Sequence, residues 1–190
     1  AAVVGNKILQ SMNEAFQLDD HTHNNSASIG IAMFTGQETS SAELLKQADI
    51  PMYSAKESGR NAVRFFDTRM QERVVAQAAI ESDLRQALVS NRFQLYYQPK
   101  MDSDGHIAGA EALLRLNHPL NGIIAPDSFV PIAEKSGLIL QIGDWVLNDA
   151  CAQLARWSTD SKLNQMTLAV NVSARQFSEP SFVQSVLGAL

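Results

Sequence analysis

Strand-like and helix-like segments alternate along the second half of the chain, and this order restricts the folds available to it. Residues 93–98, 107–116 and 166–171 are predicted strands, and residues 138–157 form the clearest predicted helix. The turn residues Asp102-Ser103-Asp104-Gly105 predict that the first two strands form an antiparallel hairpin. Strands that alternate with helices indicate an α/β fold, with a parallel sheet or barrel in this half.

The first half shows the same alternation on a smaller scale. Helical spacing of apolar residues predicts a helix over residues 2–17, and a strand is expected over 26–34. Ser40 and Glu43 form a capping-box pattern that predicts the start of a second helix. A short apolar strand is expected over 62–66.

Residues 68–90 are the predicted segment between two domains. They carry one helical stripe of apolar residues, formed by Val74, Ala78, Leu84 and Leu88, with charged side chains on the other faces. A connecting helix explains this pattern. A dimer-forming helix also explains it, because a single exposed apolar stripe favours a partner.

Composition narrows the classes of partner and location. The net charge of −5 gives no electrostatic reason to expect a nucleic-acid polymer, although local cations could still hold a small anionic ligand. No apolar run approaches the about 20 residues that a membrane span needs. Cys151 is the only cysteine, which excludes an internal disulfide and fits a reducing cytoplasm. The opening Ala1-Ala2-Val3-Val4 lacks an initiator Met, as expected of a piece of a longer protein.

A charged pair stands within the predicted strand 107–116. The strand period places Glu111, Leu113 and Arg115 on one face and small apolar residues, suited to helix packing, on the other. A buried carboxylate needs a partner or a metal. An ion pair between Glu111 and Arg115 would satisfy both groups, and so would a metal at Glu111. The pattern alone leaves both interpretations open.

Polar side chains also stand at the ends of two other strands. Asn171 lies at the C-terminal end of its strand, where α/β barrels place their sites, and Gln98 ends the first strand of the hairpin. Taken alone, Asn171 is more typical of an Asx turn, and Gln98 of a surface amide. However, a carboxylate and an amide oxygen can bind a hard cation, and an arginine beside them can hold a phosphate. Glu111, Asn171 and Arg115 therefore indicate metal-assisted phosphodiester chemistry.

In the first half, Lys56 and Arg60 lie four residues apart at a predicted helix end. At this spacing the two side chains are neighbours and could clamp a phosphate. Cations at a helix C-terminus are also favoured by the helix dipole alone, and spacing by itself favours that second explanation.

Short motifs are distributed along both halves of the chain. In the first half they are Ser28-Ile29-Gly30, Ala48-Asp49, Met52-Tyr53, Ala55-Lys56 and Gly59-Arg60-Asn61. In the second half they are Tyr97-Gln98-Pro99, Glu111-Ala112-Leu113-Leu114-Arg115, His118-Pro119, Gly137-Leu138-Ile139 and Asn171-Val172-Ser173. In this order they resemble the tandem GGDEF–EAL proteins of bacterial cyclic di-GMP signalling, and the resemblance covers nearly the whole chain.

The resemblance implies three parts: the C-terminal portion of a GGDEF domain over residues 1–67, a linker helix over 68–90, and the N-terminal portion of a TIM-like EAL barrel over 91–190. In the GGDEF portion, Lys56 and Arg60 match positions that hold the triphosphate of GTP. A cytoplasmic, homodimeric full-length protein is expected, with cyclic di-GMP as its ligand.

For the EAL portion the resemblance implies hydrolysis of cyclic di-GMP to linear pGpG with Mg²⁺ or Mn²⁺. By this resemblance Glu111 and Asn171 are catalytic metal ligands. Gln98, Leu113 and Arg115 would contact the substrate, with Arg115 meeting a phosphate. The metal would polarise a phosphoryl oxygen and activate water for in-line attack.

The chain also departs from the family pattern. The GGDEF motif itself is absent, so this chain is not expected to make cyclic di-GMP. A barrel takes about 250 residues, so the remaining acidic ligands and the catalytic lysine and glutamate are expected beyond Leu190, and this piece alone should be inactive. Pro51 stands inside a predicted helix, where proline costs about 3 kcal/mol and kinks the chain. Leu116 replaces a usual Trp, which should affect packing more than chemistry.

Two alternatives to a phosphodiesterase remain open at this stage. The first is a degenerate GGDEF–EAL pair that binds cyclic di-GMP or GTP as a sensor without turnover. The second is diguanylate cyclase activity in the full-length protein.

Overall fold

The computed structural model describes residues 1–34, 36 and 40–190. It contains two units, residues 1–76 and 77–190. Helices and strands alternate in both, which confirms the predicted α/β class. The helices are α1 (Ala2–Met12), α2 (Ser41–Glu57), α3 (Thr68–Val89), α4 (Val130–Ser136), α5 (Leu138–Ser158), α6 (Ala174–Phe177) and α7 (Phe182–Ala189). The strands are β1 (Phe16–Leu18), β2 (His21–His23), β3 (Ser28–Ile31), β4 (Ala62–Phe65), β5 (Phe93–Met101), β6 (Ile107–His118), β7 (Gly122–Ile124) and β8 (Thr167–Val170).

The first unit contains two pairs of strands. Strands β1 and β2 pair antiparallel, whereas β3 and β4 pair in parallel, with α2 between them in the sequence and Ser28 opposite Ala62. Gly30 lets β3 lie directly against α2, because a Cβ atom at this position would be 2.0 Å from the carbonyl oxygen of Ala48. This close approach is the physical reason for the glycine in that motif.

One prediction for this unit needs correction. The first helix is shorter than the predicted 2–17, since it ends at Met12 and residues 16–18 form β1. A hairpin turn at Asp19 pairs this strand with β2, so the chain leaves the helix before it. Asp19 adopts a φ of 51°, a conformation that aspartate tolerates better than most residues. Pro51 does not end α2, which continues through it to Glu57. The proline ring is fully buried, and this packing offsets the hydrogen bond that proline cannot donate.

The predicted cap of α2 is confirmed. The backbone N–H of Glu43 donates to the hydroxyl oxygen of Ser40 at 3.2 Å. This bond satisfies one of the N–H groups that the first turn of a helix leaves without a partner.

The second unit is built on a four-stranded sheet in which β6 is central. Strands β5 and β6 form the predicted antiparallel hairpin. The opposite edge of β6 is shared by β7, which is antiparallel to it, and β8, which is parallel to it. Helices α4 and α5 lie in the sequence between β6 and β8, as a parallel connection requires.

One face of this sheet packs on helices. Ala110, Ala112 and Leu116 are nearly fully buried there, so Leu116 contributes to packing. Two of the core residues, Leu84 and Ala87, come from α3, so the C-terminal half of the predicted linker helix belongs to this core. The buried cluster consists of Leu84, Ala87, Phe93, Leu116, Phe129, Ala133, Leu138, Ile139, Ile142 and Val146.

Prolines mark two short helical segments of this unit. Pro126 opens a 3-10 helix over Pro126–Ser128, and α4 follows at Val130. Helix α6 ends at Phe177 and α7 begins at Phe182, and Pro180 between them cannot donate the N–H that a continuous helix would need. Within the residues that the structure describes, no helix combines the length and apolar character required to cross a membrane.

Candidate functional site

The sheet face opposite the buried core carries the predicted site residues. Directly opposite residues of an antiparallel pair point to the same face, and Gln98 lies opposite Glu111. On the other edge Glu111 lies beside Ala169, so Asn171, two residues further on, falls on the same side. The resulting polar face comprises Gln98, Lys100, Glu111, Leu113, Arg115 and Asn171.

Glu111 and Asn171 are in direct contact. The side-chain Nδ2 of Asn171 donates to Oε1 of Glu111 at 2.7 Å, although the two residues are 60 positions apart in the sequence. This side-chain contact forms in place of the Asx turn that Asn171 alone would favour. Because the amide uses its N–H here, the Asn171 Oδ1 and the Glu111 Oε2 remain as oxygen ligands for a cation.

The alternative ion pair between Glu111 and Arg115 does not form. Residues four apart along a strand are separated by about 13 Å, which neither side chain bridges here. Arg115 instead donates from Nη1 to the carbonyl oxygen of Leu114 at 2.8 Å, and its guanidinium carbon lies 5.7 Å from the centre of the Tyr96 ring. The aromatic ring and the backbone contact hold the guanidinium on the polar face.

Lys100 is a site neighbour that sequence analysis did not single out. Its Nζ lies 3.9 Å from Oε2 of Glu111, in a pair of partly exposed side chains. Such exposed pairs contribute little to stability. Strand alternation could have identified Lys100, because it follows Gln98 by two residues in β5 and therefore points to the same face.

The donor set fits part of a divalent cation site. Glu111 offers a carboxylate oxygen and Asn171 an amide oxygen, which are the hard ligands that Mg²⁺ and similar ions prefer. Mg²⁺ is commonly held by one or two carboxylates together with water and phosphate oxygens. Among the described residues there is no cluster of three or more His, Cys, Asp or Glu that could hold a metal ion. The pair is therefore suited to complete a site to which other groups contribute.

The remaining predicted substrate contacts surround this pair. Gln98 is exposed and Leu113 half-buried, and Leu113 lies opposite Tyr96 in the strand register. A flat ligand above the polar face would contact the Gln98 amide beside Glu111, and the Leu113 side chain and Arg115 guanidinium further along β6. These substrate roles stay predictions.

Lys56 and Arg60 are both exposed at the C-terminal end of α2. The Lys56 Nζ lies 5.1 Å from the centre of the Tyr53 ring. Arg60 adopts a left-handed φ of 63°, and its backbone N–H donates to the carbonyl oxygen of Ala55 at 3.0 Å. Their phosphate-binding role stays a prediction.

A cavity of about 270 Å³ lies on the helix-packed side of the sheet. Ala112 and Leu114 of β6 and Gly143 of α5 line it, together with Ser173 and Gln176 beyond β8. The cavity therefore borders the segment that carries Asn171.

Each half of the chain matches the model of a known protein family. Residues 81–190 match the model of the EAL domain, and residues 1–62 match that of the diguanylate cyclase GGDEF domain. The whole chain is 43% identical to the bifunctional diguanylate cyclase/cyclic di-GMP phosphodiesterase MucR of Pseudomonas aeruginosa and covers 28% of it. Over 81% of its length it is 38% identical to the cyclic di-GMP phosphodiesterase PdeR of Escherichia coli, of which it covers 23%.

A solved structure shows the same relationship. The PaMucR phosphodiesterase in complex with c-di-GMP superposes with a TM-score of 0.55 and 47% identity, over 59% of this chain and 45% of that one. The chain thus spans about a quarter of the length of the curated relatives it matches.

Proposed function

The chain belongs to the EAL domain family, and on that premise we propose that the full-length protein is a metal-dependent phosphodiesterase that hydrolyses cyclic di-GMP to linear pGpG. The observation that carries this proposal is the 2.7 Å hydrogen bond from Nδ2 of Asn171 to Oε1 of Glu111, which holds a carboxylate and a side-chain amide together across two neighbouring strands. The names of the relatives MucR and PdeR support the same activity.

Glu111 and Asn171 would hold the cation, with Mg²⁺ or Mn²⁺ as the proposed ion in a family that generally uses a divalent metal. Such a cation assists attack at phosphorus by drawing charge from a phosphoryl oxygen and by activating water. Arg115 would donate to a phosphate oxygen, since only one of its N–H groups is engaged by Leu114. Gln98 and Leu113 would contact the rest of the nucleotide.

The direct test uses the full-length protein with cyclic di-GMP and Mn²⁺, followed by chromatography of the products. We expect pGpG to form and its formation to stop when a chelator is added. Glu111→Ala should abolish hydrolysis. Glu81→Ala, which removes a carboxylate from a surface ion pair with Arg85 on α3, is the charge-matched control and should keep the activity. Undiminished hydrolysis by the Glu111 variant would refute the ligand assignment.

Lys100 gives a specific reason to test a second function, binding of cyclic di-GMP without turnover. Its ammonium group lies 3.9 Å from Glu111 and could neutralise this carboxylate in place of a metal. A protein that binds cyclic di-GMP in the presence of a chelator, and forms no pGpG with Mn²⁺, would be a sensor rather than an enzyme.

The wider organisation forms part of the same proposal. We propose a partial GGDEF domain over residues 1–67, a linker helix over 68–90 and a partial EAL domain over 91–190. Lys56 and Arg60 would bind the phosphates of GTP in the first of these. We also propose that the full-length protein is cytoplasmic and homodimeric. Light scattering after gel filtration would measure its oligomeric state. Cyclase activity would require the GGDEF motif elsewhere in the protein.

A further inference from the structure

A buried side chain holds the turn that follows Asn171. Gln176 in α6 is only 6% exposed. Its amide oxygen accepts hydrogen bonds from the backbone N–H of Ser173 at 3.3 Å and from the Ser173 hydroxyl at 3.1 Å. Its own backbone N–H donates to the Ser173 Oγ at 3.1 Å. Because only Val172 separates Ser173 from Asn171, this capping box fixes the backbone two residues from the proposed cation ligand.

The amide of Gln176 fits against α5 only because residue 143 is glycine. A Cβ atom at Gly143 would lie 1.6 Å from Nε2 and 2.8 Å from Oε1 of Gln176. Packed atoms do not approach so closely, so any side chain at this position must displace the amide. A glycine inside a helix costs about 1 kcal/mol relative to alanine, so its presence in α5 calls for a packing reason. The Gln176 amide supplies that reason.

A second contact ties the same short helix to α4. The Nη1 of Arg175 donates to the carbonyl oxygen of Glu134. Helix α6 has only four residues and little hydrogen bonding of its own, so these contacts to α4 and α5 determine where it lies.

We propose that Gln176, seated on Gly143, is a positioning residue that holds Asn171 against Glu111. Ligating groups need support within about 0.5 Å, because a looser site binds poorly. Displacing the Gln176 amide would release Ser173 and, with it, the turn that carries Asn171. The consequence for cation binding rests on the proposed function, whereas the placement of Asn171 can be tested without it.

The placement is tested in metal-free full-length protein labelled with ¹⁵N-asparagine. The side-chain NH₂ signal of Asn171 is identified by its loss in Asn171→Asp. We expect this signal to move in Gln176→Ala and in Gly143→Ala. The double variant should move it no further than Gln176→Ala alone, because the methyl group then enters space that the amide has left.

Matched variants separate positioning from loss of folding. Gly188→Ala is the control for Gly143→Ala, because Gly188 also lies in a helix and a Cβ there meets nothing within 4 Å. The cavity beside Gln176 can accommodate the displaced amide, so the Gly143→Ala variant is expected to fold. Ser173→Ala removes the capping hydroxyl alone and should move the Asn171 signal, whereas Ser173→Thr keeps the hydroxyl and should not.

Uptake of Mn²⁺, measured from the electron paramagnetic resonance signal of the free ion, gives the second readout. We expect Gln176→Ala to weaken Mn²⁺ binding about tenfold or more, in the range typical of residues that orient a ligand. An unmoved Asn171 signal in folded Gln176→Ala, or additive shifts in the double variant, would overturn the proposal. A signal that moves in a protein whose wild type takes up no Mn²⁺ would support the positioning role and refute the metal site.

Discussion

The ring of His118 joins helix α3 to the end of strand β6, and its contacts allow a quantitative prediction. Its Nδ1 accepts hydrogen bonds from the backbone N–H groups of Leu120 at 3.1 Å and Asn121 at 3.0 Å. An accepting Nδ1 leaves the proton on Nε2, which lies 3.1 Å from Oδ2 of Asp83 and donates to it. The His118 side chain is 10% exposed and that of Asp83 is 37% exposed.

The cost of losing these contacts differs between two substitutions. A hydrogen bond to a carboxylate is worth about 1.5–3 kcal/mol, reduced here to about 1 because Asp83 is partly exposed. Each backbone bond adds about 0.5–1 kcal/mol, since both N–H groups are near solvent. His118→Ala should therefore cost about 2–3 kcal/mol. His118→Asn should cost only about 1 kcal/mol, because its Oδ1 can accept both backbone bonds as in an Asx turn.

Hydrogen exchange measured by mass spectrometry on the full-length protein reports these costs locally. A tenfold change in protection corresponds to about 1.4 kcal/mol. Residues 118–124 should exchange about 30-fold or more faster in His118→Ala and about fivefold faster in His118→Asn. Asp83→Ala should match His118→Asn, and combining the two should add nothing. His106→Ala is the control, because His106 is exposed.

A loss of protection in His118→Asn as large as that in His118→Ala would show that the two backbone hydrogen bonds contribute no stability, and would refute this prediction. Additive effects of His118→Asn and Asp83→Ala would also refute it, because the two side chains would then not be coupled.

The remaining predictions concern the first unit. Hydrogen bonds from the side chain and then from the backbone N–H of Arg69 lower the pKa of Asp67 from 3.8 to about 2, so the stabilising contribution of this carboxylate is present above pH 3.8 and is lost as the pH falls toward 2. NMR titration should show this pKa in the wild type and a higher pKa in Arg69→Ala, which loses the side-chain hydrogen bonds but keeps the one from the backbone N–H of residue 69; equal values would refute the assignment. Gly30→Ala places a methyl group 2.0 Å from the carbonyl oxygen of Ala48 and 2.6 Å from the backbone nitrogen of Met52, and calorimetry should show a lower melting temperature for this unit. The cost should be about 3 kcal/mol or more, because backbone cannot yield as a side chain can, and an unchanged melting temperature would contradict the close approach of β3 to α2.

Strand β6 and its two faces could be predicted from the sequence because alternation is a strictly local property. Glu111, Leu113 and Arg115 are spaced two positions apart, so a single strand prediction places all three side chains on the same face. The hairpin with β5 follows from equally local turn residues. The end of the first helix was predicted less well, because the two-residue turn at Asp19 overrides a helical pattern that continues beyond Met12.

The contacts across the site could be predicted only in part, since they depend on register. The identity of the partner of Glu111 required knowing that Ala169 lies beside it in β8. The packing of the Gln176 amide against Gly143 depends on how α5 crosses the segment after β8. No local pattern in either element predicts how closely these two residues approach each other. Lys100 is the exception, because alternation along β5 alone places it on the polar face.

Strand β6 connects the candidate site to helix α3 in two ways. On one face, Leu84 and Leu116 lie in the same buried cluster, and at the end of the strand His118 is bonded to Asp83. Glu111 and Arg115 lie on the opposite face of this strand. Interiors packed at crystal density transmit displacements rather than absorbing them. We therefore expect a rearrangement of α3 against the core to displace the strand that carries both charged groups. The second half of the predicted linker packs on the core beneath the site, as a flexible spacer would not.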